Sequence, residues 1–245
     1  MFGVLLTVLV LGIALGSLFR LTLRELSLAS IPLVVAVADE LAMTLSVAAG
    51  LVVVRYWTRQ RWRSLVPLSS CKARSYLPLL VSAMGLALLT AALRIAVLPP
   101  EPNPVRGEVR ASASVLLFSM LVLAPFTEEL LMRGAVLGGL LRRYSTRKSV
   151  LISALAFAGL HLNPYQVLQS LVLGLISGWV RVQTGSLWPG ILAHVAFNAA
   201  LILIAGERHW AVYASSGAVV ITLGLIGIRR EMPGAKEVHC VCVRS

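Results

Sequence analysis

Apolar residues run in blocks long enough to cross a bilayer, and polar residues gather in the gaps between them. A membrane-crossing helix needs about 20 apolar residues. On that measure the sequence predicts eight spans, near 2–19, 31–54, 77–98, 112–141, 149–162, 166–182, 187–205 and 211–228. The fifth is short. No internal repeat or low-complexity segment interrupts the series. The expected fold is all-α, a polytopic membrane helical bundle of about eight transmembrane helices. Residues 1–111 hold three spans and a proline-rich outer connector, 112–205 form the central group, and 206–245 hold the last span and a basic tail.

The gaps refine this picture. Prolines crowd residues 99–110, and each lacks an amide donor and pushes the preceding residue towards extended geometry, so this connector is not helical. Ser186, Trp188 and Pro189 open the seventh span: a hydroxyl that can cap, a ring suited to the interface, and a proline tolerated in the first turn. Positive charge sets the orientation. With the N-terminus inside, inner loops and tail hold fifteen cations, from Arg55, Arg59, Arg61 and Arg63 to Arg244, and the outer loops hold five. Both termini are expected inside, which demands an even number of spans and so includes the short fifth.

Composition agrees. The chain is 58% hydrophobic and 13% charged, with a mean hydropathy of +0.87, against about 25% charged in soluble domains. The net charge of +12 lies in clusters between apolar runs rather than on a basic face with aromatics, and no nucleic-acid module is present, so nucleic acid is excluded as a partner. Cys71, Cys240 and Cys242 show no zinc-ligand spacing. The tail Cys242-Val-Arg-Ser245 has the length of a prenylation signal by coincidence. The first apolar stretch lacks a basic leader and a clear cleavage site, and reads as a retained span.

Three polar constellations stand out inside apolar helices. The first is Glu128, Glu129 and Arg133, three and more residues past Pro125 in a span that is too long for the bilayer and is expected to kink there. One charged residue at a helix centre costs roughly 2.5–3.5 kcal/mol, so these groups need partners or water. Glu129 and Arg133 are spaced i,i+4 with the acid first, the better order for an ion pair. Glu128 points about 100° away, towards a cavity. The second is Phe157 and His161 on one helix face, with Asn163-Pro164 ending the helix. The third is His194 and Asn198, again i,i+4. Each alone can equally be a structural bond between helices. At ~1.5 Å per residue, Glu128 and His161 both lie about 21 Å from the inner edge, Asn198 about 16 Å and His194 about 10 Å. Convergent ionisable groups at depth mark a functional site.

Glu128-Glu129-Leu-Leu-Met-Arg133, Phe157-Ala-Gly-Leu-His161 and His194-Val-Ala-Phe-Asn198, complete and in order, resemble the motifs of the CPBP family, the CAAX prenyl endopeptidases and bacteriocin-processing or immunity (Abi) proteins. The resemblance covers roughly 112–205, including the lead-in Thr184-Gly-Ser-Leu-Trp-Pro-Gly. It implies an intramembrane endopeptidase in a multi-pass protein of a bacterial inner membrane, acting on a peptide or protein substrate that can be lipid-modified. By position, Glu128 and His161 would activate water, and His194 and Asn198 would stabilise the oxyanion. Glu129, Arg133 and Phe157 would support them, with no cofactor. No Ser or Cys accompanies the motifs, which favours direct attack by water over an acyl-enzyme.

Alternatives stay open. Glu128, His161 and His194 also form a catalytic zinc set, although the HExxH helix motif is absent. A non-catalytic membrane adaptor or bacteriocin-immunity protein could use the same cavity to bind a partner. A proton-coupled transporter is disfavoured by the lack of inverted repeats. Asp39 and Glu40 in the second span and Arg94 in the third are expected to make a helix-fixing ion pair or solvated cluster, with a substrate-binding acid as the sharper reading.

Overall fold

The computed structural model describes residues 18, 21, 22, 25, 32–59, 61–69, 76–98, 117–161, 164–204 and 209–231. Among these the regular structure is helical and there is no strand. Every predicted span from the second to the eighth holds a helix. The helices are α1 (Pro32–Thr58), the single turn α2 (Trp62–Leu65), α3 (Tyr76–Val97), a helical run through α4 (Ala124–Glu129) and α5 (Leu137–Leu140), then α6 (Thr146–Leu160), α7 (Pro164–Thr184), α8 (Trp188–Leu203) and α9 (Trp210–Glu231). The predicted first span, the 99–110 connector, the tail cysteines and the side chains of Asp39 and Glu40 lie outside the described residues.

By length and composition, Leu41–Thr58, Tyr76–Val97 and Trp210–Ile228 can cross a membrane, and Trp188–Leu203 is a shorter apolar helix. Their outward faces are apolar as well. Leu41, Met43, Leu45 and Val52 on α1, and Val212, Val219, Leu223 and Leu225 on α9, are all exposed. A helix apolar on every side belongs in hydrocarbon. Buried hydroxyls are satisfied along their own helices, as a membrane requires. Ser82 Oγ donates to the Pro78 carbonyl (2.8 Å), Ser177 Oγ to Leu173 (2.9 Å) and Thr184 Oγ1 to Val180 (2.8 Å).

The chain divides into two compact units, residues 1–66 with 103–139 and residues 67–102 with 140–245. In the first, α1 packs on the helical run that carries α4, and α2 packs on its Leu130–Val136 portion. In the second, α3 meets α9, α8 and α7, and α6 pairs with α7. Small residues set these approaches. Gly85 of α3 lies against Gly217 and Ile221 of α9, and Gly224 lies against Pro78 and Ser82, so the two helices run antiparallel at close range. Gly174 and Gly178 of α7 lie on Ala154 and Val150 of α6, again antiparallel. Close small-residue contact is the main source of helix adhesion where solvent is as apolar as the side chains. Leu79, Ala83, Val180 and Ala193 join α3, α7 and α8 in a small apolar core.

Ser186 holds the start of α8 as expected, one position earlier than the cap residue Leu187. Its Oγ accepts from the Trp188 N–H (3.2 Å) and donates to the Ser69 carbonyl, while Leu187 N–H donates to the Pro67 carbonyl (2.8 Å).

Candidate active site

In the first unit the carboxylates sit on α4, between two stretches of widened π-helix, Ser119–Leu123 and Leu130–Val136. The first ends as the Ala124 N–H donates to the Ser119 carbonyl, immediately before Pro125. A proline has no N–H to give the carbonyl four residues back, and the helix departs from regular α geometry beside it. The second stretch begins immediately after Glu129 and contains Arg133. π-Turns inside α-helices are frequently found at functional sites. They also rotate everything downstream around the helix axis, so the faces on either side do not follow one period.

Glu129 and Arg133 meet across this turn. Arg133 Nε lies 3.2 Å from Glu129 Oε2, and neither side chain has exposed surface. The expected i,i+4 pair is therefore present and deeply buried. Glu128 is half-buried, and its charge acts on Arg133 together with that of Glu129. Thr127, also buried, returns its hydroxyl to the carbonyls of Leu123 (2.8 Å) and Ala124 (3.2 Å).

In the second unit, α6 ends at Leu160 and His161 forms its C-cap. Pro164 then opens α7. His161 Nδ1 lies 3.0 Å from the Phe157 carbonyl oxygen. A carbonyl can only accept, so Nδ1 carries the proton, and in the neutral ring the lone pair sits on Nε2. The helix-ending position makes this bond available, because the Phe157 carbonyl lies in the last turn, where backbone acceptors lose their helical donors.

Phe157 does a second thing. Its ring, 1% exposed, meets the His161 ring edge-to-face at 4.8 Å and the His194 ring at 6.0 Å. It therefore brings α6 and α8 together at two imidazoles. His194 is buried at 3% exposure, and Asn198 follows one turn later, half-buried. The structure thus unites Phe157, His161 and His194 in one unit, and Glu129 with Arg133 in the other. The expected i,i+4 spacings of Phe157 with His161 and of Glu129 with Arg133 both become contacts.

Two features escaped the sequence reading. The Phe157–His194 contact joins residues on separate helices and leaves no local pattern. The π-turns around α4 had one visible signal, Pro125, which was read as a kink rather than as a widening of the turn.

All these residues lie within the part of the chain that matches a protein-family model. Neither a curated protein nor a solved structure matches the chain. Residues 110–200 match the model described as type II CAAX prenyl endopeptidase Rce1-like, so the chain carries an Rce1-like segment there, and the family resemblance of its three motifs holds.

Proposed function

We propose that this membrane protein is an intramembrane endopeptidase of the CAAX prenyl protease type, cutting a peptide bond by direct attack of water. Glu128 and His161 activate the attacking water: the carboxylate takes one proton from it while the imidazole orients it. The hydroxide adds to the scissile carbonyl, and His194 N–H and the Asn198 amide donate to the oxyanion that forms. The C–N bond then breaks and the proton passes to the leaving amine. Glu129, Arg133 and Phe157 hold these groups in place. A carboxylate in a low-dielectric pocket is a stronger base than in water. Each oxyanion donor of this kind contributes about 2.7–4 kcal/mol in enzymes where it has been removed.

The observation that carries this is the pairing of two imidazoles across Phe157, one with its Nδ1 proton tied to a carbonyl and its Nε2 left as base or acceptor. A residue serving only to bond two helices has no need of that second ring. The substrate is a membrane-bound peptide or protein, lipid-modified or not, in a bacterial inner membrane. Glu128→Gln and His161→Ala are expected to abolish cleavage while the protein still inserts. Comparing new peptide termini in membranes with wild-type and variant protein reads this directly. Full turnover by both variants would remove Glu128 and His161 from the mechanism, and partner binding that survives Glu128→Ala without any cleavage would favour an adaptor.

The same His161 tautomer suits a metal ligand, since zinc-bound imidazoles donate their other N–H to a carbonyl or carboxylate. A zinc-dependent variant of the reaction would use Glu128, His161 and His194 as ligands. Elemental analysis of the purified protein, with activity before and after chelation, separates the two. Stoichiometric zinc whose removal stops turnover assigns the metal route, and full activity in metal-free protein assigns the other.

A further inference from the structure

At the end of α1 the apolar stretch Leu41–Thr58 gives way to Arg55, Arg59, Arg61 and Arg63, and no acidic residue occurs between positions 41 and 100. Aromatic rings are interleaved with these cations. Tyr56 and Trp57 are 81% and 82% exposed, and Trp62 is 45% exposed. Open rings at the end of an apolar span suit the headgroup layer, where the apolar body meets lipid and the polar edge meets water.

The backbone draws the cluster together. Arg59 adopts φ 51°, the left-handed conformation that ends a helix and is usually left to glycine. The chain reverses there into α2, whose Ser64 and Leu65 N–H groups donate to the Arg61 carbonyl and whose Trp62 carbonyl accepts from Val66 N–H at 2.7 Å. Leu65, 1% exposed, anchors the turn, and α2 packs on the Leu130–Val136 stretch. Trp62 is thereby folded back under Arg55, whose guanidinium carbon lies 5.3 Å from the ring centroid. Arg59, Arg61 and Arg63 stay exposed beside it. A guanidinium fork matches the oxygens of a phosphate.

We propose that this arginine–aromatic turn is a docking surface for the phosphate headgroups of anionic lipids. An acidic peptide would satisfy the charge alone. A lipid leaflet uses both the charge and the three rings, and it is present where an apolar span ends. The proposal does not depend on peptidase activity.

The test uses the full chain in phosphatidylcholine vesicles containing phosphatidylglycerol, with spin-labelled versions of each lipid reporting contact with the protein. Wild-type protein is expected to retain phosphatidylglycerol over phosphatidylcholine, with the preference shrinking at high salt. A juxtamembrane arginine is worth about fivefold in binding to an anionic surface. Arg59→Asn/Arg61→Gln/Arg63→Gln should therefore lose most of the preference, Asn being chosen at 59 because it tolerates the left-handed backbone. The triple arginine-to-lysine variant should keep most of it. Trp57 and Trp62 should be quenched by lipids brominated near the headgroup. Equal retention of both lipids by wild-type protein at low salt overturns the proposal whether or not any variant folds. So does an undiminished preference in an inserted triple variant, or tighter binding of an acidic peptide than of the anionic lipid.

Discussion

Glu129 and Arg133 have no exposed surface, so neither can exchange its partner for water. Removing one member of a buried pair strands the other charge and costs about 3–5 kcal/mol, whereas replacing both with neutral groups is far milder. Arg133→Met is accordingly expected to lower thermal stability in detergent sharply, and Glu129→Gln/Arg133→Met to recover most of the loss. Equal melting of the two variants would mean that the pair is not coupled. Phe157 offers a second test at this scale. Its edge contacts with two imidazoles are worth about 0.5–1.5 kcal/mol each beyond burial. Phe157→Leu keeps an apolar side chain there but loosens both rings. If the peptidase reading holds, kcat should fall about tenfold with little change in KM, and insertion should be normal. The Glu129–Arg133 pair was legible because i,i+4 spacing is a local rule. The two-sided role of Phe157 was not, because one of its partners is thirty-seven positions away on another helix.

At the scale of elements, glycines make the sharpest predictions because the space beside each one is defined. A Cβ on Gly217 would come within 2.9 Å of the Gly85 carbonyl oxygen, and one on Gly224 within 2.7 Å of the Ser82 backbone nitrogen. Neither neighbour is the end of a flexible side chain. Gly217→Ala and Gly224→Ala should each force α3 and α9 apart and cost about 1–3 kcal/mol, the usual range for overpacking. Gly138 and Gly159 have nothing within 4 Å of the same position. Alanine there should be neutral or stabilising by roughly 0.5–1 kcal/mol through backbone entropy. Unfolding of the four variants in detergent, measured side by side, checks the contrast. Helix positions were readable from apolar block length, and among the described residues the second to the eighth predicted windows each contain one. The π-turns around α4 were not readable, since a one-residue widening leaves the apolar pattern almost unchanged while altering which side chains share a face.

For the whole molecule, the cation distribution predicts that both termini lie on the same, inner side. Reporter fusions at the two ends should therefore respond alike to a membrane-impermeant reagent, and opposite responses would require an odd number of spans. The sequence alone determined that this is a helical membrane protein, because long apolar blocks have few other stable forms in water or lipid. It also singled out the candidate site residues, because ionisable groups in such blocks are conspicuous by their cost and the three motifs are contiguous. Only the tertiary structure decided that Phe157 sits between His161 and His194, that the Phe157 carbonyl fixes the His161 tautomer, and that the end of α1 folds Trp62 under Arg55. Each of these depends on where a helix stops and what packs against it, and those outcomes are set by side-chain volumes on separate helices rather than by any pattern along one of them.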